Sequence, residues 1–224
     1  MNDLEKNGCI FLKEIYKNNE MDKILEEFLI FCEENHIYEE LNKKEDVKKN
    51  NCFINNTYSL LNSYHKMQFY YLPVFDNRKG HNRITDNGMI DVFNIHKILP
   101  SINEIINLEL ILILLKKLTN KDWKFLRVNL HLNNNVQNPN NYHYDNEEIL
   151  KFSIYLNNIK EENGGGLSFI KETHINKKFS NNNIKNFYGD KGDVFLSYQN
   201  GFHKKLPQRN SINYYLVLNF ELKN

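Results

Sequence analysis

His143, Asp145 and His203 are the residues of this chain whose types and spacing best suit chemistry. His143-Tyr144-Asp145 sets an imidazole and a carboxylate two residues apart. On extended backbone, residues i and i+2 point to the same side. The pair can therefore grip one face of a metal ion, with His203 supplying a third donor from a distant segment. Two imidazoles and one carboxylate on one face leave the opposite coordination positions open, a donor set suited to Fe(II). In a chain with eight His, an H-x-D spacing arises by chance in roughly one case in three, so its meaning depends on the elements around it.

Those elements change character along the chain. Met21, Ile24, Leu25, Phe28, Leu29 and Cys32 follow a helical rhythm, with Asn18 or Asn19 as the cap. A second helix is predicted after Pro100, with Ser101 and Glu104 as a capping box and a largely buried run through Leu115. Residues 57–71 are a third helical candidate. Asp76 to Gly88 is polar and turn-rich, a loop long enough to serve as a lid.

From Phe125 the period becomes two. Leu126, Val128, Leu130 and Leu132 alternate with Arg127, Asn129 and His131. Further β-rich runs cover 152–156, 167–170, 194–198 and 214–222, punctuated by Gly164-Gly165-Gly166 and by Gly189 and Gly192. Strands after a helical first half predict an α+β fold, with helices packed on a β-sandwich or barrel. Residues 1–122 would be mainly helical support and lid, and 123–224 most of the barrel, in one domain. The alternation sends Arg127, Asn129 and His131 toward a polar cavity, with Asn219 and Ser197 facing it. It equally describes an antiparallel sheet with one solvated face, so both readings stand at this point.

Composition narrows the function classes. A 224-residue chain with 41% hydrophobic residues can bury a core. A net charge of +1 provides no field for nucleic acid or an anionic membrane. Cys9, Cys32 and Cys52, an odd number without metal spacing, predict reduced thiols. The polar opening from Met1 to Gly8 does not read as a signal peptide. The most apolar run, 108–118, is too short for a membrane span. The chain is expected to be cytoplasmic, with a small-molecule substrate and neither nucleic acid nor membrane as partner.

Three blocks carry a resemblance. Asn163-Gly164-Gly165-Gly166-Leu167-Ser168-Phe169-Ile170, ending near His174, resembles the ENGGL…PGSH segment of phytanoyl-CoA-dioxygenase-like enzymes. Gly189 to Leu196, running into Gly201-Phe202-His203-Lys204, resembles their GDxxxF…HxG segment. LEKNGCIFLKEI, from Leu4 to Ile15, is similar to the family's opening. The order matches and the blocks span nearly the whole chain. The resemblance implies a double-stranded β-helix, a jelly-roll barrel with flanking N-terminal helices, using Fe(II) and 2-oxoglutarate with O2 as cosubstrate.

It further implies that His143, Asp145 and His203 ligate the iron, that His174 closes a turn, and that the reaction oxidises an unactivated C–H bond, hydroxylation being the first choice. Asp145 stands where related halogenases carry a small residue, which argues against halogenation. The chain departs from the family at the 2-oxoglutarate anchor. An Arg is usual about ten residues beyond the distal His, where Asn213 and Tyr214 stand here. Arg209 is the nearest replacement. Arg127 and Lys151, on strands flanking the metal motif, are further basic candidates, with Asn129 beside them on the polar face. Two other classes stay open: a metal-dependent jelly-roll enzyme that does not use 2-oxoglutarate, and a non-catalytic barrel-fold binding protein.

Overall fold

The computed structural model describes residues 3–34, 52–54, 58–61, 74–77, 89–137, 139, 141–145, 148–209 and 211–223. Twelve strands among these form two sheets. The large sheet contains β1 (Cys9–Leu12), β2 (Cys52–Ile54), β3 (Tyr58–Leu61), β4 (Val74–Asn77), β5 (Met89–Phe93), β6 (Trp123–Asn134), β7 (Ile149–Tyr155), β10 (Val194–Tyr198) and β12 (Ile212–Leu222). Its order is β1-β10-β7-β12-β6-β5-β4-β3-β2, antiparallel except between β3 and β4. The small sheet has β8 (Leu167–Ile170) between β11 (His203–Lys205) and β9 (Ile184–Phe187).

The period-two pattern of the central strands separates two cores. Val128, Leu130 and Leu132 of β6 join Leu216 and Leu218 of β12, and Phe152 and Ile154 of β7, in the larger one. Alternate residues Tyr155, Tyr215 and Val217 enter a smaller core with Phe169 of the small sheet. Burying each such side chain contributes about 1.5–3 kcal/mol.

Helices cover the larger core. In α1 (Asp3–Asn7) and α2 (Asn18–Glu34), Leu4, Met21, Ile24, Phe28 and Cys32 are buried. The helical stripe therefore forms, although Leu29 is 41% exposed. Asn18 is the first helical residue, and the start is closed by Glu20, whose carboxylate accepts the Lys17 N–H at 2.8 Å. Cys9 and Cys32 are buried, and burial pushes the Cys9 thiol up to about 12.

The single helix expected after Pro100 is two, α3 (Pro100–Ile105) and α4 (Leu108–Thr119). Ile106 and Asn107 are extended, and the Asn107 side chain caps α4 by accepting from the Leu110 N–H at 3.1 Å. The expected capping box does not form. Ser101 donates through both its N–H and its hydroxyl to Glu27 of α2, and Glu104 pairs with Lys23 at 2.5 Å. Leu110 and Ile113 are exposed at 62% and 56%, so α4 is less buried than its apolar run suggests.

The helix expected over 57–71 gives way to strand at Tyr58–Leu61, and the rest of that segment lies outside the described residues. Of the candidate lid, Asp76 and Asn77 end β4, and 78–88 lie outside the described residues. No helix among the described residues is long and apolar enough to cross a membrane.

Candidate metal centre

After β6 the chain leaves the sheet and touches the start of β11 through one isolated antiparallel bridge, His143 to His203. His143 N–H donates to the His203 carbonyl at 3.1 Å, and His203 N–H returns to the His143 carbonyl at 2.9 Å. Two residues on, Asp145 N–H donates to the Gln199 carbonyl at 2.8 Å. These ties put the three side chains together, with one ligand atom from each within 4.8 Å of the others. The imidazole centroids are 4.6 Å apart.

Each imidazole is oriented from behind. His143 Nδ1 lies 2.9 Å from the Asn141 carbonyl and His203 Nδ1 lies 2.9 Å from the Gly201 carbonyl. A carbonyl only accepts, so Nδ1 carries the proton and Nε2 keeps its lone pair for a metal. Burial pushes His203 down to about 4, and the Lys151 charge adds to this. Burial alone would raise the Asp145 carboxyl, but the charges of Lys151, His203 and His143 outweigh it and hold the carboxyl below its usual range. A neutral imidazole and an ionised carboxylate are the forms that coordinate. The donor set and its orientation fit Fe(II).

His143 and His203 line a cavity of about 140 Å³ between the two sheets. Its walls also carry Asp91, His131, Lys151 and Lys205. Strand registry explains the polarity. Asp91, His131, Tyr215 and Tyr155 stand opposite one another across β5, β6, β12 and β7 and share one face of the large sheet. Asp91 is buried, with Oδ1 3.7 Å from His131 Nδ1. Lys205 is two residues beyond His203 on β11, so both side chains face the same way, and its ammonium donates to Asn133 Oδ1 at 2.9 Å. Lys151 Nζ lies 3.6 Å from Asp145 Oδ2.

The residues singled out from sequence divide clearly. His143, Asp145, His203 and Lys151 come together, and His131 and Ser197 line the same cavity. Arg209 is exposed, with its backbone N–H on the Asn163 carbonyl at 3.0 Å, and it is not part of the cavity wall. Arg127 is half-buried over the Phe93 ring at 5.7 Å, and Asn129 and Asn219 are buried; these three also lie off the wall. His174 stacks on Tyr198 and bonds the Glu5 carbonyl at 3.1 Å. Asn213 donates to the Gly165 carbonyl at 3.2 Å.

Asp91 and Lys205 were missed by the sequence reading, yet both left a signal. Asp91 is a lone charge inside the apolar run MIDVF, and His203-Lys204-Lys205 repeats the i, i+2 spacing that made His143 and Asp145 conspicuous. The triple glycine serves the site indirectly. Gly164 and Gly165 have φ of 68° and 77°, a region that favours glycine. This turn lets the Gly165 N–H donate to the Pro207 carbonyl at 2.8 Å while its own carbonyl accepts from Asn213 and the Tyr215 hydroxyl of β12.

No protein-family model matches the chain, and no curated protein matches it in sequence. Solved structures do match in fold. The non-heme monooxygenase ThoJ, in complex with nickel, superposes with a TM-score of 0.62 at 10% identity, over 98% of this chain and 75% of that one. HygX from Streptomyces hygroscopicus, solved with nickel, 2-oxoglutarate and hygromycin B, has a TM-score of 0.55 at 10% identity, over 98% and 85%. SnoN, a non-heme alpha-ketoglutarate-dependent epimerase from nogalamycin biosynthesis, has a TM-score of 0.56 at 9% identity, over 97% and 78%. At these identities the likeness is one of fold.

Proposed function

We propose that this chain is a non-haem Fe(II)- and 2-oxoglutarate-dependent dioxygenase, a single domain on a double-stranded β-helix, hydroxylating an unactivated C–H bond of a small molecule. The observation that carries this reading is the His143–Asp145–His203 set beside a cavity furnished with lysines. Similarity in fold to enzymes solved with 2-oxoglutarate and nickel supports it. The order of the sequence blocks supports a place near the phytanoyl-CoA-dioxygenase-like enzymes.

His143, Asp145 and His203 would hold the metal, which, with 2-oxoglutarate and O2, supplies the oxidising power for C–H cleavage. The protein contributes binding and orientation. The bridge and the two carbonyl-bound Nδ1 atoms fix the imidazoles. Lys205 shares the inward face with His203, so we assign it the far carboxylate of 2-oxoglutarate, with Lys151 as a second cation near Asp145. A carboxylate in such a cavity needs a charge-assisted partner. Arg209, Arg127 and Asn129 serve this role less well because their side chains lie off the wall. The absence of an Arg at position 213 favours one alternative, a metal enzyme that does not use 2-oxoglutarate.

Calorimetry of 2-oxoglutarate binding to nickel-loaded protein tests the assignment. Lys205→Met should weaken binding roughly 10–100-fold, the scale of one hydrogen bond to a charged group, and Arg209→Met should leave it unchanged. Undetectable binding in the unsubstituted protein would select the alternative.

A further inference from the structure

The two metal-ligand segments meet through one isolated residue pair rather than a continuous ladder. Such a pair is weak unless neighbouring side chains reinforce it. Antiparallel geometry places Tyr144 opposite Phe202 and Tyr142 opposite Lys204. Strand alternation sends Tyr144, Phe202 and Tyr142 to the face opposite the two imidazoles, and none of these three lines the cavity, whereas Lys204 contributes to its wall. On that outer face the Tyr144 and Phe202 rings meet edge to face, with centroids 5.2 Å apart. Lys177 sits 4.9 Å over the Tyr144 ring, and Phe179 touches both Phe202 and Tyr142.

Phe202 is the fixed half of this contact. Its N–H donates to Thr173 Oγ1 at 2.8 Å, and its carbonyl accepts from Ile170 N–H at 2.9 Å. Tyr144 lies between His143 and Asp145, in a segment whose described ties are few. Beyond the bridge, its described backbone tie is Asp145 N–H to Gln199; side-chain ties are Tyr142 hydroxyl to Ser168, the Lys151–Asp145 ion pair, and the ring contacts of Tyr142 with Phe179 and Lys204. Tyr144 is nevertheless 44% exposed, so its ring adds little to the core.

We propose that Tyr144 and Phe202 are positioning residues of the metal centre: their ring contact clamps the His143–His203 pair from behind and so fixes two ligands at once. The proposal rests on the metal reading above. Partners that orient ligands typically change metal affinity 10–100-fold when removed. The side-chain hydroxyl is not needed for this role; the ring is.

The test uses Tyr144→Ala, Tyr144→Phe and Phe202→Ala, with two readouts. Cobalt(II) titration followed by its visible absorption reports affinity and ligand geometry. Amide hydrogen exchange at His143 and His203 in metal-free protein reports the pairing itself. We expect both alanine variants to exchange faster at these two amides and to bind cobalt at least tenfold more weakly with an altered spectrum. Tyr144→Phe should restore both. Unchanged exchange and unchanged cobalt affinity in Tyr144→Ala would overturn the proposal. Faster exchange with cobalt affinity and spectrum unchanged would reduce the clamp to a structural contact, which also overturns it. A parent protein that binds no cobalt, with exchange still dependent on the rings, would instead overturn the metal reading on which the role depends.

Discussion

Asp145 lies on no regular strand, carries a carboxyl held below its ordinary range and is tethered through its N–H to Gln199. Like His143 and His203, it belongs to neither apolar core, which fits the proposed coordinating role better than a packing one. His143→Ala, Asp145→Ala and His203→Ala should therefore each abolish metal binding while retaining the native circular-dichroism spectrum and a cooperative melt. A variant that binds nickel as tightly as the parent would remove that residue from the ligand set. His143 and Asp145 were legible because i, i+2 spacing on extended chain dictates a shared side. His203 could be named from sequence only as a distant third donor, because the bridge that pairs it with His143 closes a span of 60 residues. Arg209 shows the limit: closeness in sequence to His203 suggested a place at the rim, but the residue is exposed and outside the cavity lining, with its N–H on the Asn163 carbonyl.

At the scale of elements, the long strands of the second half declared themselves and the helix boundaries did not. β12 sends Tyr214, Leu216, Leu218 and Phe220 to one core and Tyr215 and Val217 to the other, as period two requires. The break between α3 and α4 escaped notice because Asn107 caps α4 inside an otherwise continuous apolar pattern. Ser101 pairs with Glu27, 74 residues away, a partner no local motif reveals. Asn107→Ala should lower stability by about 1 kcal/mol, the usual value of an N-cap, measured by urea unfolding. Gly165→Ala should cost more, about 1–3 kcal/mol for a non-glycine residue in that backbone region. It should also disturb β8, because an added Cβ would meet the Asn213 amide and the Gln208 side chain. Equal stability of Gly165→Ala and the parent would show that the loop relaxes freely.

For the whole molecule, the α+β class followed from the change of period near Phe125, whereas the strands of the first half came from segments too short or too polar to announce themselves. Titration is also a property of the whole. Burial is the leading cause that lowers His96, His174 and His203, the last to about 4. In the unfolded chain a His titrates near 6.5. Between that value and about 4 the unfolded state binds protons that the native state refuses, so stability falls as pH falls through this window. Above it these groups are neutral in both states and contribute no slope. The urea midpoint of metal-free protein should be lower at pH 5 than at pH 7.5. A midpoint that rises on acidification would contradict the buried, neutral state of these imidazoles.

The central claim, that one site takes both iron and 2-oxoglutarate, is tested most directly by an anaerobic titration with Fe(II) followed by 2-oxoglutarate, watching the visible spectrum. The expected result is a weak charge-transfer band that needs both additions and is absent from Asp145→Ala. Iron uptake without a band would contradict the use of 2-oxoglutarate, and the absence of iron uptake would contradict the metal centre itself.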